Sequence, residues 1–249
     1  MTDIEWCIKY LKGVNRIEGD LGFDEEASFR ALMNITMPVD LSDEFYHRQD
    51  AVLQGILSRK KVVDVSSFPE GVSLYQGDIT LFKADAIVNA CNSKMLGCFV
   101  PGHHCIDNAI HSFAGLQVRR DMMKIMAEQG HDEPSGQVKA SLAYNLPSQY
   151  IFHTVGPIYS GTPMDEKDLA SCYLSCLRKA EEMKLESIVF CSLSTGIFGF
   201  PIGKASKIAI NSVTSFLEKE SKNVKKIIFD VFSQSDYQTY QLAMKEAGL

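Results

Sequence analysis

No apolar run in these 249 residues approaches the roughly 20 that a membrane helix requires. Positive charge is also short. Lys and Arg number 25 against 31 Asp and Glu, for a net charge of −6 and a pI near 5.5. That balance disfavours a protein that tracks nucleic-acid backbones over a broad basic surface, so bulk nucleic acid is not an expected partner. The opening residues, MTDIEWCIKYLKG, have neither the basic n-region nor the long apolar stretch of a secretion signal. The chain is therefore expected to be cytoplasmic. No Cys-x-x-Cys pair occurs, and the cysteines, at 7, 91, 98, 105, 172, 176 and 191, are odd in number. This argues against a disulfide framework and against a structural zinc site of four thiolates. Cys172 and Cys176 fall one helical turn apart in an apolar pattern and read as packing residues. There is no internal repeat and no low-complexity segment.

What is present is a globular composition. Hydrophobic residues make up 45% and charged residues 22%, with a mean hydropathy of −0.05, enough for a full core. Residues 1–68 carry helical patterns over Ile4–Leu11, Glu25–Met33 and Ser42–Lys61, broken at Gly13, Gly19, Gly22 and Pro38. They read as a helical N-terminal extension. Residues 69–249 alternate apolar strand patterns with amphipathic helical ones. Strands are expected at Val72–Gln76, Ala86–Ala90, Val138–Leu142, Tyr150–Val155, Ser187–Ser192 and Lys226–Phe232. Helices are expected at Ile106–Ala114, Arg119–Gln129, Leu169–Met183, Lys204–Glu218 and Ser235–Ala247. Such alternation implies an α/β fold, a largely buried sheet with helices on both faces.

Four short segments carry chemistry. Gly77-Asp78-Ile79-Thr80 follows the first of these strands; a carboxylate there can accept from an exocyclic amine or simply close a turn. Asn89-Ala90-Cys91-Asn92 ends the next strand, where open α/β sheets place their ligands. The loop that follows crowds Cys98, His103, His104 and Cys105 together, just before the helix that carries Asp107. Zinc takes thiolate and imidazole in tetrahedral array. Cys98, His103 and Cys105 can fill three corners and leave the fourth open, the mark of a catalytic site. His104 is the alternative ligand. The fourth segment, Ser192 to Pro201 (SLSTGIFGFP), places hydroxyls and glycines between strand and helix, where amides can approach a phosphate. It matches neither of the usual nucleotide-loop patterns. His111 and His153, single histidines in apolar contexts, read as hydrogen-bonded core or near-core residues.

Taken together and in this order, the segments resemble the macrodomain family, which binds ADP-ribose. The resemblance runs through GDIT at 77–80, ADAIVNACNSKMLG at 84–97, CIDNAIHSFAG at 105–115, HTVGPIY at 153–159 and SLSTGIFGFP at 192–201. It covers about residues 72–249 and implies a three-layer α/β/α fold with a mixed central sheet. CFVPGHHC, from Cys98 to Cys105, replaces the glycine-rich run of MacroD-type hydrolases. With the helical extension, this is similar to the zinc-containing microbial subclass, whose members are protein mono-ADP-ribosyl hydrolases. The resemblance implies that Asp78 takes the adenine amine, with Ile79 nearby. Asn92 and Asp107 would hold the distal ribose and carry catalysis. The backbone of Ile106 and of Ser194, Thr195, Gly196, Ile197 and Phe198 would cradle the diphosphate, with Phe200 near the ribose. Cys98, His103 and Cys105 would bind Zn2+. The implied substrate is a protein mono-ADP-ribosylated on a side chain, with a carboxylate as the attachment point. Resemblance alone adds a lipoyl-carrier protein and a sirtuin-type transferase as associated proteins.

Other classes compete with this reading. A non-catalytic ADP-ribose reader would use the same pocket without turnover. A zinc nucleoside deaminase needs His-x-Glu and Pro-Cys-x-x-Cys; the first occurs at His131-Asp132-Glu133, but the second is missing. A Cys–His nucleophilic enzyme would need Cys105 free of metal.

Overall fold

A computed structural model describes residues 1–249. Its N-terminal helices begin where the sequence supplies a cap. Helix α1 (Asp3–Asn15) starts on a capping box in which Thr2 Oγ1 accepts from the Glu5 amide and the Glu5 carboxylate accepts from the Thr2 amide. Helices α2 (Glu25–Ile35) and α3 (Asp43–Ser58) start on Asp24 and Ser42. Gly13 does not break α1. A glycine in a last turn costs only about 1 kcal/mol, and the helix ends where Arg16 turns left-handed at φ 55°. The three helices bury a small core of their own: Cys7, Leu11, Phe29, Leu32, Met33, Phe45 and Leu53. Leu116, from the larger domain, completes it, so the extension is docked rather than free.

The domain that follows contains strands β1 (Val63–Asp64), β2 (Gly71–Gln76), β3 (Phe82–Lys83), β4 (Ala86–Ala90), β5 (Val138–Leu142), β6 (Tyr150–Thr154), β7 (Ser187–Phe190) and β8 (Lys226–Val231). Its helices are α4 (Ile106–Ala114), α5 (Leu116–Gln129), α6 (Pro163–Glu182), α7 (Ile202–Lys219) and α8 (Gln234–Glu246). The result is a three-layer α/β/α fold around a mixed sheet, as expected. Six strands run in the order β2-β8-β7-β4-β6-β5, all parallel except the edge strand β5. Helices α6, α7 and α8 lie side by side in one layer, while α4 and α5 occupy the other with α2 packed on α4. β4 and β7 are buried at every position but the last of β4, which accounts for their nearly unbroken apolar runs.

Several boundaries differ from the periodicity. α6 starts at Pro163 rather than Leu169, because Thr162 and Asp165 form a capping box and Pro163 takes the first helical position. α5 starts at Leu116, immediately after Gly115 at φ 103°. β7 ends at Phe190, releasing Ser192 into the loop. β1 and β3, a parallel pair of two residues each, were too short to show a pattern.

Connectivity places the site. From β4 the chain passes through α4 and α5 to β5 and β6 on one side, then crosses through α6 to β7 on the other. The strand order therefore reverses between β4 and β7, and a crevice opens beyond their carboxyl ends.

Two charged side chains, one of them buried, tie distant segments together. Arg119 of α5 is 2% exposed. Its Nη1 donates to the carbonyls of Met33, Asn34 and Thr36 at the end of α2, at 2.9, 3.0 and 2.6 Å. Its Nε donates to the Leu96 carbonyl at 2.7 Å. Glu181, at the end of α6, gathers the loop before β8: the amides of Lys222, Asn223 and Val224 donate to Oε1 at 2.8, 2.9 and 2.9 Å. Burial opposes its charge, but these amides outweigh burial and hold its pKa down at about 2.

Replacing Glu181 with Ala is expected to cost roughly 2–3 kcal/mol, since several donors lose a charged acceptor at once. Because the folded pKa lies below the unfolded value, this stabilisation is full above about pH 4.5 and fades as pH falls toward 2. Thermal melts of wild type and Glu181→Ala should be separated at pH 7 and converge toward pH 2.

Candidate active site

Asp78 follows β2 and starts the short 3-10 turn Ile79–Leu81. Its Oδ1 accepts from the Thr80 amide at 3.0 Å and from Thr80 Oγ1 at 2.6 Å. Oδ1 therefore closes a turn, while Oδ2 accepts no hydrogen bond within the chain. Asp230, in the second-last position of β8, is its acidic neighbour. Burial, and then the charge of Asp78, push the Asp230 carboxyl up to about 8. Its Oδ1 has no hydrogen-bond partner. Sequence reading missed Asp230; the signal was a charged residue inside the apolar strand KIIFDV.

At the end of β4, Asn89 points into the interior and is fully buried. Its Nδ2 donates to Asp107 Oδ1 at 2.8 Å and lies 3.2 Å from His153 Nδ1. Ser141 Oγ lies 2.9 Å from His153 Nε2. His153 is thus the hydrogen-bonded core residue expected, with burial holding its pKa at about 3. Asn92 Nδ2 donates to the Gly97 carbonyl at 3.1 Å and, over 3.4 Å, to Asp107 Oδ2. Asn92 Oδ1 accepts from the Lys94 amide, so it also shapes its own turn. The sequence marked both asparagines of this segment and the resemblance gave the ribose role to Asn92; Asn89 is the closer partner of Asp107.

Asp107 is 5% exposed, and burial pushes its carboxyl up to about 6, against the Asn89 hydrogen bond and the charge of Arg119. His111, one turn on, lies 3.5 Å away from Asp107 Oδ1 through Nε2. The geometry makes no hydrogen bond, and neither ring nitrogen has a partner. That corrects the expectation of a hydrogen-bonded His111. Burial, followed by His153 and Arg119, keeps this imidazole well below its ordinary pKa.

Helix α4 opens on Cys105, whose sulfur accepts from the Asn108 amide at 3.4 Å. The amides of Ile106 and Asp107 donate to no protein acceptor. Cys98, His103 and Cys105 come together here, with their ligand atoms all within 4.8 Å of one another. Cys98 Sγ and His103 Nδ1 are 3.6 Å apart. Zinc bond lengths in a tetrahedron give ligand–ligand edges of about 3.5–3.8 Å, so this donor set fits zinc. His104 stays outside the cluster and is exposed. Burial pushes the Cys105 thiol up to about 11, which argues against a free thiolate nucleophile and suits a sulfur that ionises only onto a cation.

The loop after β7 leaves the carboxyl end of the strand that neighbours β4. Ser194 is held left-handed at φ 64°, with its buried Oγ unpartnered. The Gly199 amide donates to Gly196 and the Phe200 amide to Ser194, closing the loop on itself. The amides of Thr195, Gly196, Ile197 and Phe198 are left without protein acceptors, an arrangement that suits a phosphate. Ile197 is 79% exposed, whereas Phe200 is buried with its ring 4.7 Å from that of Tyr159. Phe232, just past β8, is an exposed aromatic that was not anticipated.

Comparison with known proteins bears on all of this. The Macro domain family model matches residues 88–209. A Staphylococcus aureus (strain MRSA252) protein named protein-ADP-ribose hydrolase is 44% identical over 222 residues, covering 86% of this chain and 83% of that one. A protein of the same name from Treponema medium is 43% identical over 230 residues, covering 89% and 88%. The crystal structure of a Trypanosoma brucei macrodomain in complex with ADP-ribose superposes with a TM-score of 0.69 at 27% identity, over 86% of this chain and 94% of that one.

Two glycines of the ligand loop differ in their surroundings. A Cβ on Gly97, at φ 85°, would lie 2.8 Å from the His111 ring; one on Gly102, at φ 63°, would meet nothing within 4 Å. Gly102→Ala should cost only the left-handed penalty of about 1–2 kcal/mol. Gly97→Ala should cost roughly a further 1–3 kcal/mol from overpacking. Denaturant unfolding of the two variants checks the order.

Proposed function

The chain belongs to the macro domain family, and from that membership we propose that it is a zinc-dependent hydrolase of protein-bound ADP-ribose. Its substrate would be a protein mono-ADP-ribosylated on a side chain, with an acidic side chain as the attachment point. One observation carries the reading: the sulfur and imidazole donors of Cys98, His103 and Cys105 meet at the mouth of the helix that presents Asp107. The names of the Staphylococcus and Treponema relatives support the activity class. The association with a lipoyl-carrier protein and a sirtuin-type transferase rests on the subclass resemblance alone.

The chain's own residues divide the work. Asp78 accepts from the adenine amine through its free Oδ2, with Ile79 beside it. The unpaired amides of Ile106 and of Thr195 to Phe198 receive the diphosphate, and helix α4 points its positive end at it. Asn92 lies where it can hold the distal ribose. Asp107 orients or deprotonates the attacking water at an oxocarbenium-like anomeric carbon. Asn89 and Asn92 fix the Asp107 carboxylate so that it enters the reaction already aimed. Cys98, His103 and Cys105 would hold zinc, which supplies Lewis acidity beside the distal ribose.

Two substitutions test binding and catalysis separately. Asp78→Ala removes a charged acceptor worth roughly 1.5–3 kcal/mol, so ADP-ribose should bind about tenfold or more weakly by calorimetry. An unchanged dissociation constant removes Asp78 from the site.

Asp107→Ala should slow single-turnover release of ADP-ribose from a carboxylate-modified protein by about 10²–10⁴-fold. Zinc content should stay close to one per chain, and ADP-ribose affinity should change far less. Release at the wild-type rate makes Asp107 structural. A wild-type protein that binds ADP-ribose but releases none from any modified protein is a reader, and the hydrolase reading fails.

A further inference from the structure

The ligand loop between Leu96 and Cys105 has no regular structure and contains two left-handed glycines, Gly97 and Gly102. Left alone, such a segment would sample many arrangements, and few would bring three ligands together. Residues of the α/β domain hold part of it: Asn92 Nδ2 donates to the Gly97 carbonyl at 3.1 Å. The His103 amide donates to the Val100 carbonyl at 3.2 Å. Asn108 of α4 donates through Nδ2 to the Val100 carbonyl at 3.0 Å and, at 3.5 Å, to that of Cys98.

The remaining restraints come from outside, and two of them are supplied by the extension. Arg30 and Asn34 stand one turn apart on α2 and so share a face. Asn34 Oδ1 accepts from the Gly102 amide at 2.9 Å, and its Nδ2 donates to Ser112 Oγ at 2.8 Å. Arg30 Nη2 donates to the His103 carbonyl at 3.1 Å, on the backbone of a proposed ligand. The same guanidinium donates to Asn108 Oδ1, from Nη2 at 2.8 Å and from Nε at 3.3 Å. It thereby fixes the amide group that holds Val100 from the other side. The third outside restraint, Arg119, grips Leu96 and stacks 4.2 Å over the Phe99 ring while also closing the end of α2. Arg30 is half-buried, and Asn34, Asn108, Ser112 and Arg119 are buried.

We propose that the helical extension is the outer clamp of the metal loop. On this view Arg30 and Asn34 are positioning residues that hold Cys98, His103 and Cys105 ready for zinc and set how slowly the metal is lost. The inference rests on the zinc reading above and goes beyond it by assigning a task to residues outside the α/β domain. The physical basis is preorganisation. The apparent affinity of a site falls by the fraction of time its ligands spend apart, and partners one shell out from metal ligands typically change affinity by about 10–100-fold.

The test uses the full chain loaded with zinc and mixed with excess chromophoric chelator, so that first-order zinc release is read directly. Arg30→Met, Asn34→Ala and the double variant are compared with Leu53→Ala, which weakens the extension's own core without touching the loop. The double variant should release zinc about 10–100-fold faster than wild type. Arg30→Lys, with one charged donor in place of the fork, should recover part of the loss. Leu53→Ala should lower the melting temperature while leaving release close to wild type. In metal-free protein, hydrogen exchange at the Gly102 and His103 amides should speed up in the double variant, with exchange in β4 and β6 unchanged. Wild-type release and unchanged loop exchange in the double variant overturn the clamp and leave the zinc reading standing. So does a Leu53→Ala variant that releases zinc as fast as the double variant. A wild-type protein that takes up no zinc overturns both.

Discussion

One buried guanidinium holds the parts of this molecule in register. Arg119 closes the end of α2, grips the start of the ligand loop and lies in the field of Asp107. An arginine this deep is stable only if its donors are met, and carbonyls at a helix end are the acceptors most in need of a partner. Burial lowers its pKa to about 10, which still leaves it charged at neutral pH. The extension, the loop and α5 therefore cannot shift independently. Moving one would strand either a charge or a set of carbonyls in the interior.

The surroundings of Asp107 follow from that enclosure. A carboxyl at the bottom of the crevice is kept from water and raised to about 6, while the imidazoles of His111 and His153 are kept neutral. At the other end of the crevice, Asp230 is raised to about 8 beside Asp78. The two ends thus present acids of unequal strength along one sheet edge, with unpaired amides between them.

Much of this was legible in the chain. The apolar runs of β4, β7 and β8 stand out because those strands are buried on both faces, and each expected strand formed within two residues at either end. The loop carrying Cys98, His103 and Cys105 was visible because its ligands are close in sequence. What escaped was everything that depends on distance along the chain. Asn89 meets Asp107 only because β4 leads into α4, and Asp230 meets Asp78 only because β2 and β8 are neighbours. Arg30 and Asn34 looked like ordinary residues on an amphipathic helix, since nothing local reveals that α2 lies against the loop. The late start expected for α6 had a different cause, for its first turn is polar and only the cap at Thr162 marks it.

The loop after β7 rests on a contact with a consequence for how this sequence can drift. A Cβ on Gly156 would fall 2.0 Å from Ser194 Oγ, and Ser194 is itself turned left-handed where the unpaired amides begin. The two positions are therefore locked together although 38 residues separate them (194 − 156). The Ser194 Cβ and amide nitrogen, at 3.4 and 3.6 Å, are ordinary contacts, so a side chain enters at 156 when the Ser194 hydroxyl swings away or is lost, and a glycine at 194 would remove it while relaxing the backbone. Among descendants of this chain, a side chain at 156 is therefore borne more easily once 194 has lost its hydroxyl.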